Sequence, residues 1–190
     1  MSEKFVTEAF GLPISGLINH GSHGWSSQKP IEELAPIFQA LLDDPNVIEF
    51  GWTQFTPYFN DGDVCEFSVN DPWVRTVDDV GVDNTYDLEV DDTHPTLGNL
   101  SYVKRDKTPK EIEEERRRRA TISYPNPYIP THTWDRVERE AKYPETLKRA
   151  KELHAIQGSE YEWGMKTAFG DHARVTVTRD GIQVDEYSHD

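Results

Sequence analysis

Seven histidines, one cysteine and 35 Asp and Glu in 190 residues give this chain many groups able to hold a metal or move a proton, so spacing must separate chemistry from chance. His20-x-x-His23 offers two imidazoles at ligand spacing, but a catalytic zinc needs a third protein ligand and no pattern names one. Asp61, Asp63 and His172 are suitable in type, and nothing in their spacing fixes a geometry. The same histidines lie in a loop with Gly16, Gly21 and Gly24, which can turn backbone N–H groups toward an anion. No Gly-Lys-Ser/Thr follows, so this is not a nucleotide P-loop. No G-x-S-x-G provides a serine nucleophile. Cys65 lies in a strand-like aromatic run and reads as a small buried hydrophobe rather than a thiolate. No catalytic residue, metal ligand or cofactor is assigned, and a metal-dependent hydrolase stays as the alternative reading.

Binding chemistry is better represented. Trp52 and Tyr58 flank an Asn60-Asp61-Gly62-Asp63 turn and offer rings that can stack on a nucleotide base. Arg116 and Arg117, in a run of four arginines, can neutralise phosphate. A second candidate surface is acidic. Between Glu49 and Asp92 there are twelve Asp and Glu and one base, Arg75. Asp78, Asp79, Asp83, Asp87, Asp91 and Asp92 form its densest part and suit a basic protein surface. Their spacing lacks the ligand ladder of an EF-hand, so the segment reads as a solvated loop. This field, within a net charge of −15, disfavours direct DNA binding.

The element positioning the first candidate is a β-hairpin over Val47 to Val69, rich in β-branched and aromatic residues. Asp61-Gly62 suits a two-residue loop, which places Phe59 opposite Val64 and Tyr58 opposite Cys65. Pro57 marks a sheet edge or bulge. A second hairpin spans Ala173 to Tyr187 around Asp180-Gly181, with Arg179 opposite Ile182. It puts Val175, Val177, Ile182 and Val184 on one face. Helices lie between: Leu34, Ile37, Phe38, Leu41 and Leu42 form an apolar stripe that Pro36 kinks or delays. Thr108-Pro109-Lys110-Glu111 is a capping box opening the helix EIEEERRRR, with Glu113–Arg117, Glu114–Arg118 and Glu115–Arg119 pairs. Trp134, Val137 and Ala141 mark a short helix. Pro144 opens another that stops at Gly158, and Ser159-x-x-Glu162 caps a last one ending at Gly170. Thr85 to Val90 alternates like a strand.

Strands at both ends with helices between predict a single α+β domain over residues 1–190, its two hairpins sharing an antiparallel sheet packed by helices. Residues 70–100 form an acidic loop-rich insert, and residues 104–131 a charged helix and proline-rich connector attached as an appendage. The chain is 35% apolar and its mean hydropathy is −0.75, with no run long enough to span a membrane. No basic, apolar leader opens it, and one cysteine fits a reducing cytoplasm.

The run Thr56-Pro57-Tyr58-Phe59-Asn60-Asp61-Gly62-Asp63, continuing to Cys65 and Phe67, resembles a motif of uncharacterised tailed-bacteriophage proteins. Phe169-Gly170-Asp171-His172 and the hairpin after it are similar to the same proteins. The resemblance covers about a quarter of the chain. It implies phage origin and action in the cytoplasm of a bacterial host, and implies no reaction. The function expected is a non-enzymatic binding protein that interferes with a host process, in counter-defence or takeover. It would bind a host protein through the acidic face or sequester a small nucleotide. A minor virion or assembly component is a further alternative.

Overall fold

The computed structural model describes residues 8–16, 28–58, 65–120 and 128–188. The Asn60–Asp63 turn, His20 and His23 lie outside the described residues. Among the described residues the fold is α+β, with a mixed seven-stranded sheet and four α-helices. Strands β1 (Glu8–Ala9), β2 (Leu12–Gly16), β3 (Val47–Phe55), β4 (Ser68–Val69) and β5 (Trp73–Thr76) come from the first half. Strands β8 (Ala173–Thr178) and β9 (Gly181–Glu186) close the chain. The order is β1-β2-β9-β8-β3, with β4 and β5 both on the free side of β3. Among the described residues only the β2–β9 pairing is parallel.

The two hairpin segments do share a sheet: β3 pairs directly with β8, from Phe50 opposite Val177 to Gln54 opposite Ala173. The expected first hairpin forms in part. Gln54 lies opposite Val69 and Phe55 opposite Ser68, in the register anticipated from the turn, but strand pairing stops there. Tyr58 and Cys65 belong to no strand, and Cys65 is half-buried rather than buried. Pro57, which has no N–H for a ladder, lies just past the end of β3.

In the C-terminal hairpin the loop is Arg179-Asp180, with Thr178 opposite Gly181 and Val177 opposite Ile182. The expected register placed Arg179 opposite Ile182, one loop position later. Gly181 is not a loop residue but the first of β9, with φ +148°, and a Cβ there would lie 3.0 Å from the Pro13 carbonyl oxygen of β2. The difference moves each cross-strand partner by two positions, so facing is preserved. Val175, Val177, Ile182 and Val184 are all buried on the core face, as expected.

That face carries the main core. Phe38, Phe50, Trp52 and Phe169 are fully buried and meet edge-to-face, with Phe38–Trp52 centroids at 5.8 Å and Trp52–Phe169 at 5.3 Å. Helix α1 (Ala35–Leu42) supplies Phe38 and Leu41. Pro36 sits in its first turn, and the preceding Ile31–Leu34 is 3₁₀, so the proline delays the α-helix rather than kinking it. Helix α3 (Pro144–Glu152) and its 3₁₀ extension to Gln157 bury Ala150, Leu153 and Ile156 before Gly158. Helix α4 (Glu162–Phe169) buries Met165, Ala168 and Phe169 and ends at Gly170, φ +88°. Its N-cap is Tyr161 with no side-chain cap, so the expected Ser159–Glu162 box does not form.

The acidic segment is folded rather than a solvated loop. Thr85–Leu88 is a 3₁₀ turn, not a strand, because the Asn84 side chain accepts the Tyr86 N–H and closes the turn. Val90 and Leu97 of the segment join the main core, while Trp73 and Leu88 are buried outside that cluster. Gly51 of β3 permits this second layer: a Cβ there would meet the Val175 carbonyl oxygen at 2.0 Å and the Trp73 ring at 2.7 Å. At its centre is buried His94. Its Nδ1 faces the backbone N–H groups of Thr96 and Leu97 at 3.2 and 3.1 Å, which only an unprotonated nitrogen can accept. The proton therefore lies on Nε2, donated to the Val74 carbonyl at 2.7 Å. Burial holds this imidazole below its ordinary pKa, against the bond to Val74.

Strand β6 (Leu100–Asp106) and strand β7 (His132–Glu138) form a separate antiparallel ribbon of seven facing pairs. Helix α2 (Pro109–Ala120) lies between them in sequence. The expected short helix at Trp134, Val137 and Ala141 is thus a strand in its first two members. The capping box is present: Thr108 N donates to Glu111 at 2.7 Å, and Glu111 N donates to the Thr108 hydroxyl at 3.3 Å. Bonds from Arg105 and Thr108 draw the Glu111 carboxyl down to about 2. Glu113–Arg117 and Glu115–Arg119 pair as expected, whereas Glu114 pairs with Lys110 and Arg118 with Glu115.

Candidate binding surfaces

Thr56 just past β3 and the turn between α4 and β8 meet in space. Thr56 donates its N–H and its hydroxyl to the two oxygens of Asp171, both at 2.8 Å. Lys166 of α4, almost fully buried, reaches the same carboxylate at 2.6 Å and the Thr56 hydroxyl at 3.3 Å, and lies 5.1 Å from the Phe67 ring. Burial pushes the Asp171 carboxyl up, but Lys166 and Thr56 outweigh it and leave it below the usual carboxylate range. His172 stands at φ +53° and stacks on Tyr58, centroids 4.4 Å apart and planes 9° apart. Beneath them Gln54 joins the Trp52 indole N–H at 3.0 Å to the Met165 carbonyl at 3.1 Å. The junction anchors the end of β3 to the turn between α4 and β8. Its polar groups are engaged with one another, as a structural clasp requires.

The residues expected to hold a nucleotide do not converge. Trp52 is fully buried in the core and cannot stack on a base. Tyr58 is exposed but already covers His172. Arg116 and Arg117 are exposed on α2, each paired to Glu113. Asn60, Asp61 and Asp63 are outside the described residues.

The six acidic candidates separate into different jobs. Asp79 is buried and accepts from Thr76 N at 3.0 Å, the Thr76 hydroxyl at 2.6 Å and the Thr96 hydroxyl at 2.9 Å, so its carboxylate is committed to the fold. Asp78 binds Lys142 at 2.7 Å and accepts from the Tyr143 hydroxyl. Asp91 caps the N–H groups of Thr93 and His94, and Asp92 lies 3.8 Å from Lys151. Asp83 and Asp87 are exposed.

One surface was not anticipated. Tyr102 lies opposite Arg136 and Lys104 opposite Trp134, so these four side chains share one face of the ribbon. Tyr102 is 52% exposed and Trp134 61%. Lys104 and Arg136 are exposed and form no ion pair among the described residues. The opposite face carries Arg105, which ties α2 to the ribbon through Glu111 at 2.7 Å and also holds Asp135. The far end of the open face is closed by His132 and Asp106 at 2.6 Å. At the root, Arg139 donates to the carbonyls of Pro95 and His94, fixing the ribbon to the His94 segment.

No group of three or more metal-ligating side chains occurs among the described residues, and no helix among them is long and apolar enough to cross a membrane. No family model, curated protein or solved structure matches the chain, so its own geometry carries the functional argument.

Proposed function

We propose that this chain is a non-enzymatic binding protein whose contact surface is the open face of the β6–β7 ribbon. The observation that carries this is the exposure of Tyr102 and Trp134 beside Lys104 and Arg136, on a strand pair that contributes little to the main core. Tyr, Trp and Arg are the residue types that dominate binding energy at interfaces. Tyr102 and Trp134 are diagonal neighbours on one face, and clustered exposed aromatics mark interaction surfaces where singly scattered ones do not. The phage resemblance, which rests on the two motif runs alone, would set this binding in the cytoplasm of a bacterial host. There it would interfere with a host process, and the partner is a host macromolecule.

Native mass spectrometry of the chain purified from bacterial cells tests this reading. Added mass on the wild type that is lost from a Tyr102→Ala/Trp134→Ala variant supports it. Added mass that survives the double substitution places the contact elsewhere and contradicts it.

A further inference from the structure

We infer that the open ribbon face binds single-stranded nucleic acid, an inference that rests on the ribbon being the contact surface. Tyr102, Lys104, Trp134 and Arg136 form a two-by-two cell in which rings and cations alternate both along and across the strands. Single-stranded nucleic acid has that alternation itself, with π-faced bases joined by phosphates. Aromatic platforms flanked by cations are the general means of binding it without sequence preference. The rings are exposed, and the two cations are unpaired by other described side chains.

The charge of the whole chain argues against this only at first sight. Residues 100–138 carry nine Lys and Arg against seven Asp and Glu, whereas the rest of the chain carries 11 against 28. Seven paired positions at about 3.4 Å each make the ribbon roughly 20 Å long. Screening at physiological salt acts over about 8 Å, so the outer part of the face is largely shielded from the acidic body. The acidic body repels a strand lying against it, whereas the ribbon segment, with more bases than acids, does not.

Fluorescence anisotropy with labelled twelve-nucleotide oligo-dT and oligo-U, and with a duplex of the same length, tests the inference on the full chain. Both single strands should bind, more tightly than the duplex. Trp134→Ala should weaken binding about ten-fold or more. Lys104→Glu with Arg136→Glu should also weaken it and flatten the dependence of log affinity on log salt by about 1.4 or more, at roughly 0.7 per phosphate contact on a single strand. Lys148→Glu, an exposed change on α3, should leave affinity within about two-fold. Preference between the two oligonucleotides reports whether RNA or DNA is the better ligand. No binding, equal binding by Trp134→Ala, or tighter binding to the duplex overturns the inference. If oligonucleotides fail while Tyr102→Ala/Trp134→Ala still strips a protein from the native complex, the nucleic-acid inference falls and the ribbon reading stands. Loss of a self-dimer in that variant, without oligonucleotide binding, likewise identifies a second copy as the occupant and overturns it.

Discussion

The main sheet and the β6–β7 ribbon use the same residue types in opposite ways. In the main sheet Trp52, Phe38, Phe50 and Phe169 are fully buried and touch one another. In the ribbon Trp134 and Tyr102 are open to solvent beside cations. Lysine shows the same division: Lys166 is buried against Asp171, and Lys104 is exposed. The comparison teaches that residue chemistry alone does not assign a role. Aromatics within the sheet layers stabilise the fold, while those on a thin ribbon are available to a partner.

The largest expected effect separates the two tryptophans. Trp52→Ala opens a cavity in the core and should cost about 3–5 kcal/mol in urea unfolding. Trp134→Ala should change stability by less than about 0.5 kcal/mol. Equal losses would break the comparison. Next is the clasp between the motif runs. Lys166→Ala leaves the Asp171 carboxylate buried without its ammonium partner and should cost about 3 kcal/mol. The two Thr56 bonds to the same carboxylate keep this short of a full loss of partners.

A third prediction concerns the acidic segment. His94 is neutral in the fold with its pKa lowered, whereas in the unfolded chain it titrates near its ordinary 6.5. The unfolded state therefore takes up the proton first, and stability present above that value is lost as pH falls through it. Between pH 7.5 and 5.5 the wild type should lose about 1 kcal/mol more than His94→Asn, read from urea midpoints at each pH. Equal losses would show that His94 is not held neutral. The most local effect is expected at the ribbon helix. Thr108→Ala removes a cap worth about 1 kcal/mol locally. It should speed amide exchange in Pro109–Ala120 while leaving that of β3 and β8 unchanged.

Much of the main sheet was legible because its residues follow one period and one face. The valines and isoleucine of the last hairpin alternate cleanly, so their facing survives even though the loop falls one position early. The proline in α1 and the Thr108–Glu111 box act locally, and both appear in the structure. The ribbon was not legible. Trp134, Val137 and Ala141 are spaced like one helix face, while His132–Glu138 lacks the apolar alternation of a half-buried strand because both its faces are wet. The signal that remained was the facing of two β-prone runs, Leu100–Asp106 and His132–Glu138, across the charged helix.

The sites were less legible than the fold because they depend on distant contacts. Nothing local distinguishes buried Asp79 from exposed Asp83: the first is held by Thr76 and by Thr96 seventeen positions on. Thr56 and Asp171 lie 115 positions apart, and only the β3–β8 pairing makes them neighbours. Trp52 was expected on a ligand because its strand is aromatic, but the sheet turns that side of β3 into the core.

The division between a stabilising body and a contacting ribbon is tested most directly by photo-crosslinking in bacterial cells. A photoreactive phenylalanine analogue would replace, one at a time, Trp134 on the ribbon, Tyr58 beside the clasp and Asp83 on the acidic segment. An adduct from position 134, with none from 58 or 83, is the result predicted. An adduct from 58 or 83 with none from 134 would contradict it, and would return the binding site to the surfaces first suggested by the sequence.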